Sequence, residues 1–386
     1  MRQETPGVAE RIHLNNAGAG LMPRPVLEAI RDHLALEARI GGYEAADARA
    51  TQIEDARSAV AELIGAPAPN VAFSEHATAA FSAALSSVPF RSGDALVTTR
   101  NDYVSNQLTY LSLARRFGLE VLRAPDTPDG GVDVYALEEL VHRRRPRLVA
   151  VSHVPTSSGL VQDVTAIGEV CQKEGVLYAV DACQSVGQMP VDVARIGCDF
   201  LSATARKFLR GPRGAGLLFV SDRALDEGLE PLFLDMRGAD WIDEGLYQPA
   251  PDATRFETWE FAYALVLGLG AAAHYALRVG LEAAQARAWA LAARLREGLS
   301  RLPGTRVLDR APTLSAIVTA HVSGLDPHGL VMALRTRGIN TSSVDRTSAL
   351  LDLDGKGVEW ALRASPHYYN TEREVDVLVD ALRELL

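Results

Sequence analysis

Residues 198–220 read CDFLSATARKFLRGPRGAGLLFV, and this stretch governs the interpretation of the whole chain. Its two apolar runs predict a strand on either side of a small polar turn and a glycine-rich loop, with Lys207 between them. The residues Thr204, Ala205 and Arg206 precede the lysine and could offer a hydroxyl, a backbone N–H and a cation to a phosphate. A lysine that forms a Schiff base must be fixed near such an anchor. The alternative is an exposed lysine on a loop.

A carboxylate in the same region supports the first interpretation. Asp181 ends the apolar strand LYAVD, 26 residues before Lys207. A buried, unpaired charge is costly, so a carboxylate there needs a partner, and a protonated pyridine nitrogen would be one. Gln184 lies three residues further on and could reach a phenolic oxygen. The alternative for Asp181 is a helix N-cap. Together the two segments indicate a site for pyridoxal 5'-phosphate (PLP).

Apolar runs rich in β-branched residues alternate with helical patterns along most of the chain, which predicts an α/β fold with a mostly parallel sheet. The predicted strands are Val71–Ser74, Ala95–Thr99, Leu148–Ser152, Leu177–Val180, Phe200–Ser202 and Gly216–Val220. Ligands bind beyond the carboxyl ends of such strands. That rule makes His153 and Asp181, which each end a strand, candidates for the site.

The pattern changes at a proline-rich loop near residue 250, where a long Ala/Leu-rich helical region begins. We therefore expect an N-terminal segment (1–24), a large cofactor-binding domain (25–256) and a smaller α+β domain (257–386). The most apolar stretch, Tyr263 to Leu277, contains His274 and is too short to span a bilayer, so it predicts a buried helix.

Composition narrows the classes of partner. The formal net charge of -10 argues against nucleic acid, because phosphate backbones attract basic surfaces. The first residues have no apolar core and no cleavage site, which predicts no signal peptide. Cys171, Cys183 and Cys198 lack the spacing of a metal site and cannot all pair. We expect a cytoplasmic protein with no metal, no membrane and no nucleic-acid partner.

The motifs Asp181-Ala-Cys-Gln184 and Thr204-Ala-Arg-Lys207, followed by Gly214-Ala-Gly216, resemble the signature of the class V aminotransferases. That family of fold-type-I PLP enzymes includes cysteine desulfurases, isopenicillin N epimerase, kynureninase and a C–S lyase. The resemblance covers nearly the whole chain. It implies a large domain with a mostly parallel seven-stranded sheet, a smaller α+β C-terminal domain, a small amino-acid substrate and a homodimer.

The resemblance also implies roles for residues outside these two motifs. HLNNAGAG (13–20) would place Asn16 near the substrate, and FSEHAT (73–78) would place Ala77 and Thr78 against the phosphate. By the match of NDYVSN (101–106), Tyr103 stacks on the pyridine ring. By the match of RASPHYYNTEREVD (363–376), Arg363 binds the substrate carboxylate. The alternatives are a core or interface tyrosine and a surface ion pair.

Four departures from the family pattern concern the reaction. The segment 340–357, where desulfurases carry a mobile cysteine, contains none, so we expect no persulfide mechanism. Arg206 replaces a histidine common in desulfurases. His153 replaces an asparagine found near the phenolic oxygen, and it could contact that oxygen or the substrate; the alternative is a satisfied core histidine. Glu260 occupies the position of a threonine that a neighbouring subunit usually gives to the phosphate, although Thr258 lies close.

These residues predict chemistry on the amine end of the substrate through an external aldimine and an α-carbanion, with Lys207 as proton shuttle. We expect an aminotransferase or a C–S β-elimination lyase, with amino-acid epimerisation as an alternative. A non-catalytic regulatory protein that binds PLP or an amino acid is the alternative of another class. A nicotinamide enzyme is disfavoured because Gly18 and Gly20 lack the third glycine of G-x-G-x-x-G.

Overall fold

The computed structural model describes every residue from Met1 to Leu386. Numbered in chain order, the helices are α1 (Arg24–Ile40), α2 (Gly42–Ala48), α3 (Ala50–Leu63), α4 (Ala77–Ser87), α5 (Val104–Phe117), α6 (Val134–Arg144), α7 (Val164–Glu174), α8 (Val193–Ile196), α9 (Asp222–Asp226), α10 (Tyr263–Val279), α11 (Leu281–Ser300), α12 (Pro327–Thr336), α13 (Leu350–Lys356) and α14 (Glu372–Leu385). Four 3-10 turns lie at Pro6–Ala9, Ala68–Asn70, Ala253–Phe256 and Arg346–Ser348.

The strands are numbered in the same way. They are β1 (Ile12–His13), β2 (Val71–Ser74), β3 (Ala95–Thr98), β4 (Glu120–Arg123), β5 (Leu148–Ser152), β6 (Leu177–Asp181), β7 (Phe200–Thr204), β8 (Gly216–Val220), β9 (Ala239–Asp243), β10 (Leu246–Pro249), β11 (Thr305–Val307), β12 (Val318–Val322), β13 (Ile339–Asn340), β14 (Ser342–Asp345) and β15 (Trp360–Ala364).

Seven of these strands form the central sheet in the order β2-β8-β7-β6-β5-β3-β4. Strand β8 runs antiparallel to both of its neighbours, and the other pairs are parallel. Strands β5 to β8 are buried along their whole length, as continuous apolar runs require when helices cover both faces of a sheet. The predicted mostly parallel, seven-stranded sheet is confirmed. Strand β4, at the edge, has an exposed residue at each end and gave no strand pattern in the sequence.

Helix α7, which connects β5 to β6, begins and ends at residues typical of helix termini. Asp163 accepts a hydrogen bond from the backbone N–H of Ala166 and so caps the start of α7. The helix ends at Gly175, whose φ of 68° places it in the left-handed region that glycine adopts without strain. The chain then enters β6, whose carboxyl end is Asp181.

The Ala/Leu-rich region after residue 260 forms two helices that meet at Gly280. No single helix is long and apolar enough to cross a membrane; α10 and α11 meet that test of length and composition only as a pair, bent by 81°. Helix α10 packs on α1 and α3, and its buried residues Val266, Leu269 and Ala273 share a core with the central sheet. The start of the region predicted as the small domain therefore packs on the large one. The predicted domain limits remain predictions.

The C-terminal region is built around a four-stranded antiparallel sheet in the order β11-β12-β15-β14. Its core also includes Leu14 and Ala17 from the N-terminal segment. Strand β1 pairs with β13, and Asn15 forms an isolated bridge with Ser365. The N-terminal segment thus connects the C-terminal region to the carboxyl ends of the central strands, and the site lies at this junction.

Candidate active site

Lys207 lies in the turn that follows β7 and is only 7% exposed. Its Nζ lies 5.7 Å from the centre of the Tyr103 ring, and no carboxylate lies within ion-pair distance of it. The N-terminal turn closes over the lysine, because a Cβ on Gly20 would lie 2.6 Å from the Lys207 carbonyl oxygen. The exposed-loop alternative is therefore wrong for this lysine.

Asp181 presents both carboxylate oxygens to fixed donors. The backbone N–H of Cys183 donates to Oδ1 at 2.9 Å, and the side-chain amide of Asn106 donates to Oδ2 at 2.9 Å. No cationic side chain pairs with this buried carboxylate, and the next helix, α8, begins twelve residues later. Asp181 is therefore not a helix N-cap. A buried carboxylate with neutral donors and no cation suits a protonated ring nitrogen.

A second buried carboxylate, Asp102, lies behind Asn106. It accepts hydrogen bonds from Asn106 (3.1 Å), Ser152 (2.6 Å) and Tyr110 (2.9 Å). Burial raises the pKa of Asp102 to about 6; its hydrogen bonds lower the pKa, and the charge of Asp181 raises it further. Sequence reasoning missed Asp102 and Asn106, although both lie in the quoted motif NDYVSN. The only available signal was that they flank Tyr103.

The predicted phosphate ligands Ala77 and Thr78 form the first turn of α4, where free backbone N–H groups and the helix dipole favour an anion. Thr204 ends β7 and pairs with Gly216 of β8. A Cβ on Gly216 would lie 2.9 Å from the backbone of His76, immediately before α4. The structure thus brings Thr204 beside this helix terminus. These contacts to phosphate remain predictions.

Arg206 contacts the N-terminal turn. Its guanidinium donates to the carbonyl oxygen of Gly18 in the N-terminal turn. Burial lowers its pKa, and so does the charge of Arg213. The side chain thus lies against the segment that also contacts Arg363, and its predicted phosphate contact is untested.

Polar atoms without partners surround the end of β6. His153 Nδ1, Gln184 Oε1 and Ser202 Oγ are buried and make no hydrogen bond. Burial lowers the pKa of His153 to about 4, so its imidazole is neutral at neutral pH. The amide of Gln184 donates to Ala17 O at 3.0 Å. Buried polar atoms are normally satisfied, so this cluster fits a bound group with polar ring substituents, as PLP has.

Arg363, on β15, is buried at the same junction. It donates to Thr156 Oγ1 (2.7 Å) and to Asn15 Oδ1 (3.3 Å), while its Nε has no partner. Burial lowers the pKa of Arg363 to about 10, and Arg206 adds to this lowering; the guanidinium stays charged at neutral pH. Arg363 forms no ion pair, so the surface ion-pair alternative is wrong. A buried cation with a free N–H suits a carboxylate ligand.

The neighbouring residues Asn15 and Asn16 contact different parts of the C-terminal region. Asn16 donates to Ser365 O at 2.8 Å and accepts from Tyr369 Oη at 2.5 Å, and it is fully buried. These contacts attach the N-terminal segment to the C-terminal region, whereas Asn15 contacts Arg363. The substrate contact predicted for Asn16 remains a prediction.

The cysteines and the segment around Glu260 bear on the departures from the family pattern. Cys171, Cys183 and Cys198 are buried, and burial raises the pKa of each thiol. Thr258 and Glu260 lie on an exposed segment before α10.

Similarity to known proteins extends along the whole chain. A protein of Methanothermobacter thermautotrophicus described as "Probable cysteine desulfurase" is 30% identical over 391 residues, spanning 100% of this chain and 97% of that protein. The apo structure of a cysteine desulfurase from Thermococcus onnurineus NA1 has a TM-score of 0.91 at 28% identity, covering 100% of this chain and 96% of that one.

A third similar protein is the cystine C–S lyase C-DES. Its variant with glycine covalently linked to PLP has a TM-score of 0.87 at 25% identity, covering 100% of this chain and 99% of that one. The predicted fold type and the predicted cofactor, PLP, are confirmed. The family model "Aminotransferase class-V" matches residues 12–378, and the chain belongs to this family.

Proposed function

We propose that this protein is a PLP-dependent lyase that removes a sulfur-linked β-substituent from a small amino acid. The observation that carries the proposal is the arrangement of Lys207, Asp181 and Arg363: a buried lysine without a carboxylate partner, a buried carboxylate without a cation, and a buried arginine with a free N–H. Similarity to the cystine C–S lyase C-DES supports the reaction type.

Each residue has a defined task in the proposal. Lys207 holds the cofactor covalently and, once released, moves the proton from the substrate α-carbon. Asp181 keeps the ring nitrogen protonated, and Tyr103 stacks on the ring. Arg363 orients the substrate through its carboxylate. Bound PLP supplies the electron sink for the pair left at the α-carbon.

The elimination balances without an external oxidant or reductant. The α-proton leaves to Lys207, a double bond forms between the α- and β-carbons, and the C–S bond breaks with its electron pair on sulfur. The products are a thiol or related sulfur acid and 2-aminoacrylate, which hydrolyses to pyruvate and ammonia.

Three other reactions are possible in this family. Transamination is the second candidate, favoured by the description of the family, and it differs in where the proton returns. Cysteine desulfuration requires a thiolate that attacks the substrate sulfur. The three thiols here are buried with raised pKa values, which disfavours that role for them. Epimerisation would require a proton donor on the opposite face of the substrate.

A homodimer is part of the proposal. The segment 232–247 exposes several large apolar side chains: Leu232 (62%), Phe233 (85%), Met236 (67%) and Trp241 (80%). Clusters of this kind are uncommon on monomers and are typical of interfaces. Light scattering tests this part of the proposal, and a monomer at micromolar concentration would contradict it.

The function is tested by incubating the PLP-loaded protein with amino acids that include S-substituted cysteines and their sulfoxides, with no keto-acid acceptor. Catalytic pyruvate with the cofactor unchanged would support the lyase. Stoichiometric pyridoxamine phosphate would indicate an aminotransferase, and alanine with released sulfide a desulfurase. Lys207→Ala is the matched control, and full turnover by that variant would refute the proposed site.

A further inference from the structure

Two buried carboxylates share one amide. The Nδ2 of Asn106 donates to Asp181 Oδ2 at 2.9 Å and to Asp102 Oδ1 at 3.1 Å. A primary amide nitrogen carries two protons, so each carboxylate can receive one of them. Asn106 and Asp102 are four residues apart at the start of α5, whereas Asp181 lies 75 residues away at the end of β6.

Asp102 is itself held from several directions. Around it are Asn106 and Tyr110 of α5, Thr98 of β3, Ser152 of β5 and Asp181 of β6. A cavity of about 200 Å³ borders it on the outer side, where Arg100, Arg123 and Asp352 are the charged groups. No cation pairs with Asp102 within ion-pair distance. Its Oδ1 also accepts from the backbone N–H of Tyr103, at 2.6 Å.

We propose that Asp102 is a positioning residue, whose carboxylate fixes the Asn106 amide against Asp181 and thereby maintains the proton on the cofactor's ring nitrogen. The inference rests on the proposed role of Asp181. By the same oxygen, Asp102 fixes the backbone of Tyr103, the residue proposed to stack on the ring. The Asp102 carboxylate thus orients Asp181, through Asn106, and Tyr103, through its backbone.

The physical reason is the strength of charge-assisted hydrogen bonds. A carboxylate holds an N–H donor more strongly than a neutral amide oxygen does. Without the charge of Asp102, Asn106 turns more freely and its bond to Asp181 weakens. The Asp181 carboxylate is then held less firmly against the positively charged ring nitrogen, so the ring nitrogen loses its proton at lower pH.

The test follows the ring nitrogen directly by NMR of the protein loaded with PLP labelled with ¹⁵N at that nitrogen, across a pH range and without substrate. Asp102→Asn and Asn106→Ala are each expected to lower the pH of half-protonation by about one pH unit. Thr98→Val is the matched control. It removes a 3.1 Å hydrogen bond to the other oxygen of Asp102 and leaves the charge and the Asn106 link in place. It is expected to leave the midpoint unchanged.

The double variant Asp102→Asn/Asn106→Ala tests whether Asp102 acts through Asn106. If Asp102 acts through Asn106, the two substitutions together shift the midpoint no more than the larger single shift. Additive shifts, or an Asp102→Asn shift no larger than that of Thr98→Val, would overturn the inference. If Asp102→Asn does not fold, Asn106→Ala still tests the link on which the inference depends, and an unchanged midpoint in that variant would overturn it.

Asp181→Asn serves as the reference for the underlying proposal. If it leaves the ring-nitrogen signal unchanged, the proposed role of Asp181 fails, whatever Asp102 does. If Asp181→Asn moves the signal and Asp102→Asn does not, only the inference about Asp102 fails.

Discussion

Asp102→Asn is expected to make the stability of this protein less dependent on pH. The Asp102 carboxyl is buried, and its pKa rises from the ordinary value of 3.8 to about 6, mainly because burial disfavours the charged form. Between these two values the native state binds more protons than the unfolded state. The contribution of Asp102 to stability therefore falls as pH rises through this window.

The size of the effect follows from the two pKa values. At about 1.4 kcal/mol per pKa unit, full ionisation of Asp102 costs the native state about 3 kcal/mol relative to its protonated form. About 2 kcal/mol of this cost develops between about pH 4.5 and about pH 7.5. Position 102 of the asparagine variant cannot ionise, so the unfolding free energy of the variant rises by this amount relative to that of the wild type over the same pH range.

The assay is urea unfolding of both proteins at several pH values, in the cofactor-free form, because a bound ligand would add its own linkage. The difference in unfolding free energy between the two proteins isolates Asp102, since all other titrating groups are shared. A difference that stays constant to within about 0.5 kcal/mol across the range would refute the raised pKa. The expected result would mean that the Asp102 carboxylate lowers the unfolding free energy of the protein, whereas the proposed effect on the ring nitrogen would mean that the same carboxylate supports the site.

Two further predictions concern buried arginines. Arg57→Met is expected to destabilise the protein by about 3–5 kcal/mol, because it leaves Glu257, its partner at 2.7 Å, buried without a cation. Adding Glu257→Leu should recover most of this loss, as measured by urea unfolding. A double variant that is no more stable than Arg57→Met would contradict the argument. Arg363→Lys is expected to raise KM for the amino-acid substrate about tenfold with a smaller change in kcat, because lysine lacks the planar pair of donors. An unchanged KM in steady-state kinetics would show that Arg363 does not bind the substrate.

Much of the fold could be predicted because the relevant signals are local. Strands β5 and β6 are continuous apolar runs with polar residues at their carboxyl ends: His153 directly follows β5, and Asp181 ends β6. In a parallel sheet, neighbouring strands end at the same edge, so these side chains had to lie near each other. Strand β4 escaped prediction because an edge strand is half-solvated and does not show a continuous apolar run.

The candidate site was less accessible to sequence reasoning. The direction of Arg206 depends on the approach of the N-terminal turn, whose Gly18 carbonyl lies 188 residues away in sequence. Asn15 rather than Asn16 contacts Arg363, because a single residue's shift along the segment turns the side chain to another neighbour. Neither fact has a local signature.

The sequence by itself determined the cofactor and the fold class and predicted the role of Lys207, since these depend on short motifs and on the period of apolar residues. Only the tertiary structure decided that Asn106 bridges Asp102 and Asp181, and that Asp102 lies buried without a cation. Hydrogen-bond partners and pKa values depend on which distant segments exclude water from a side chain, and burial of that kind is a property of packing rather than of residue order.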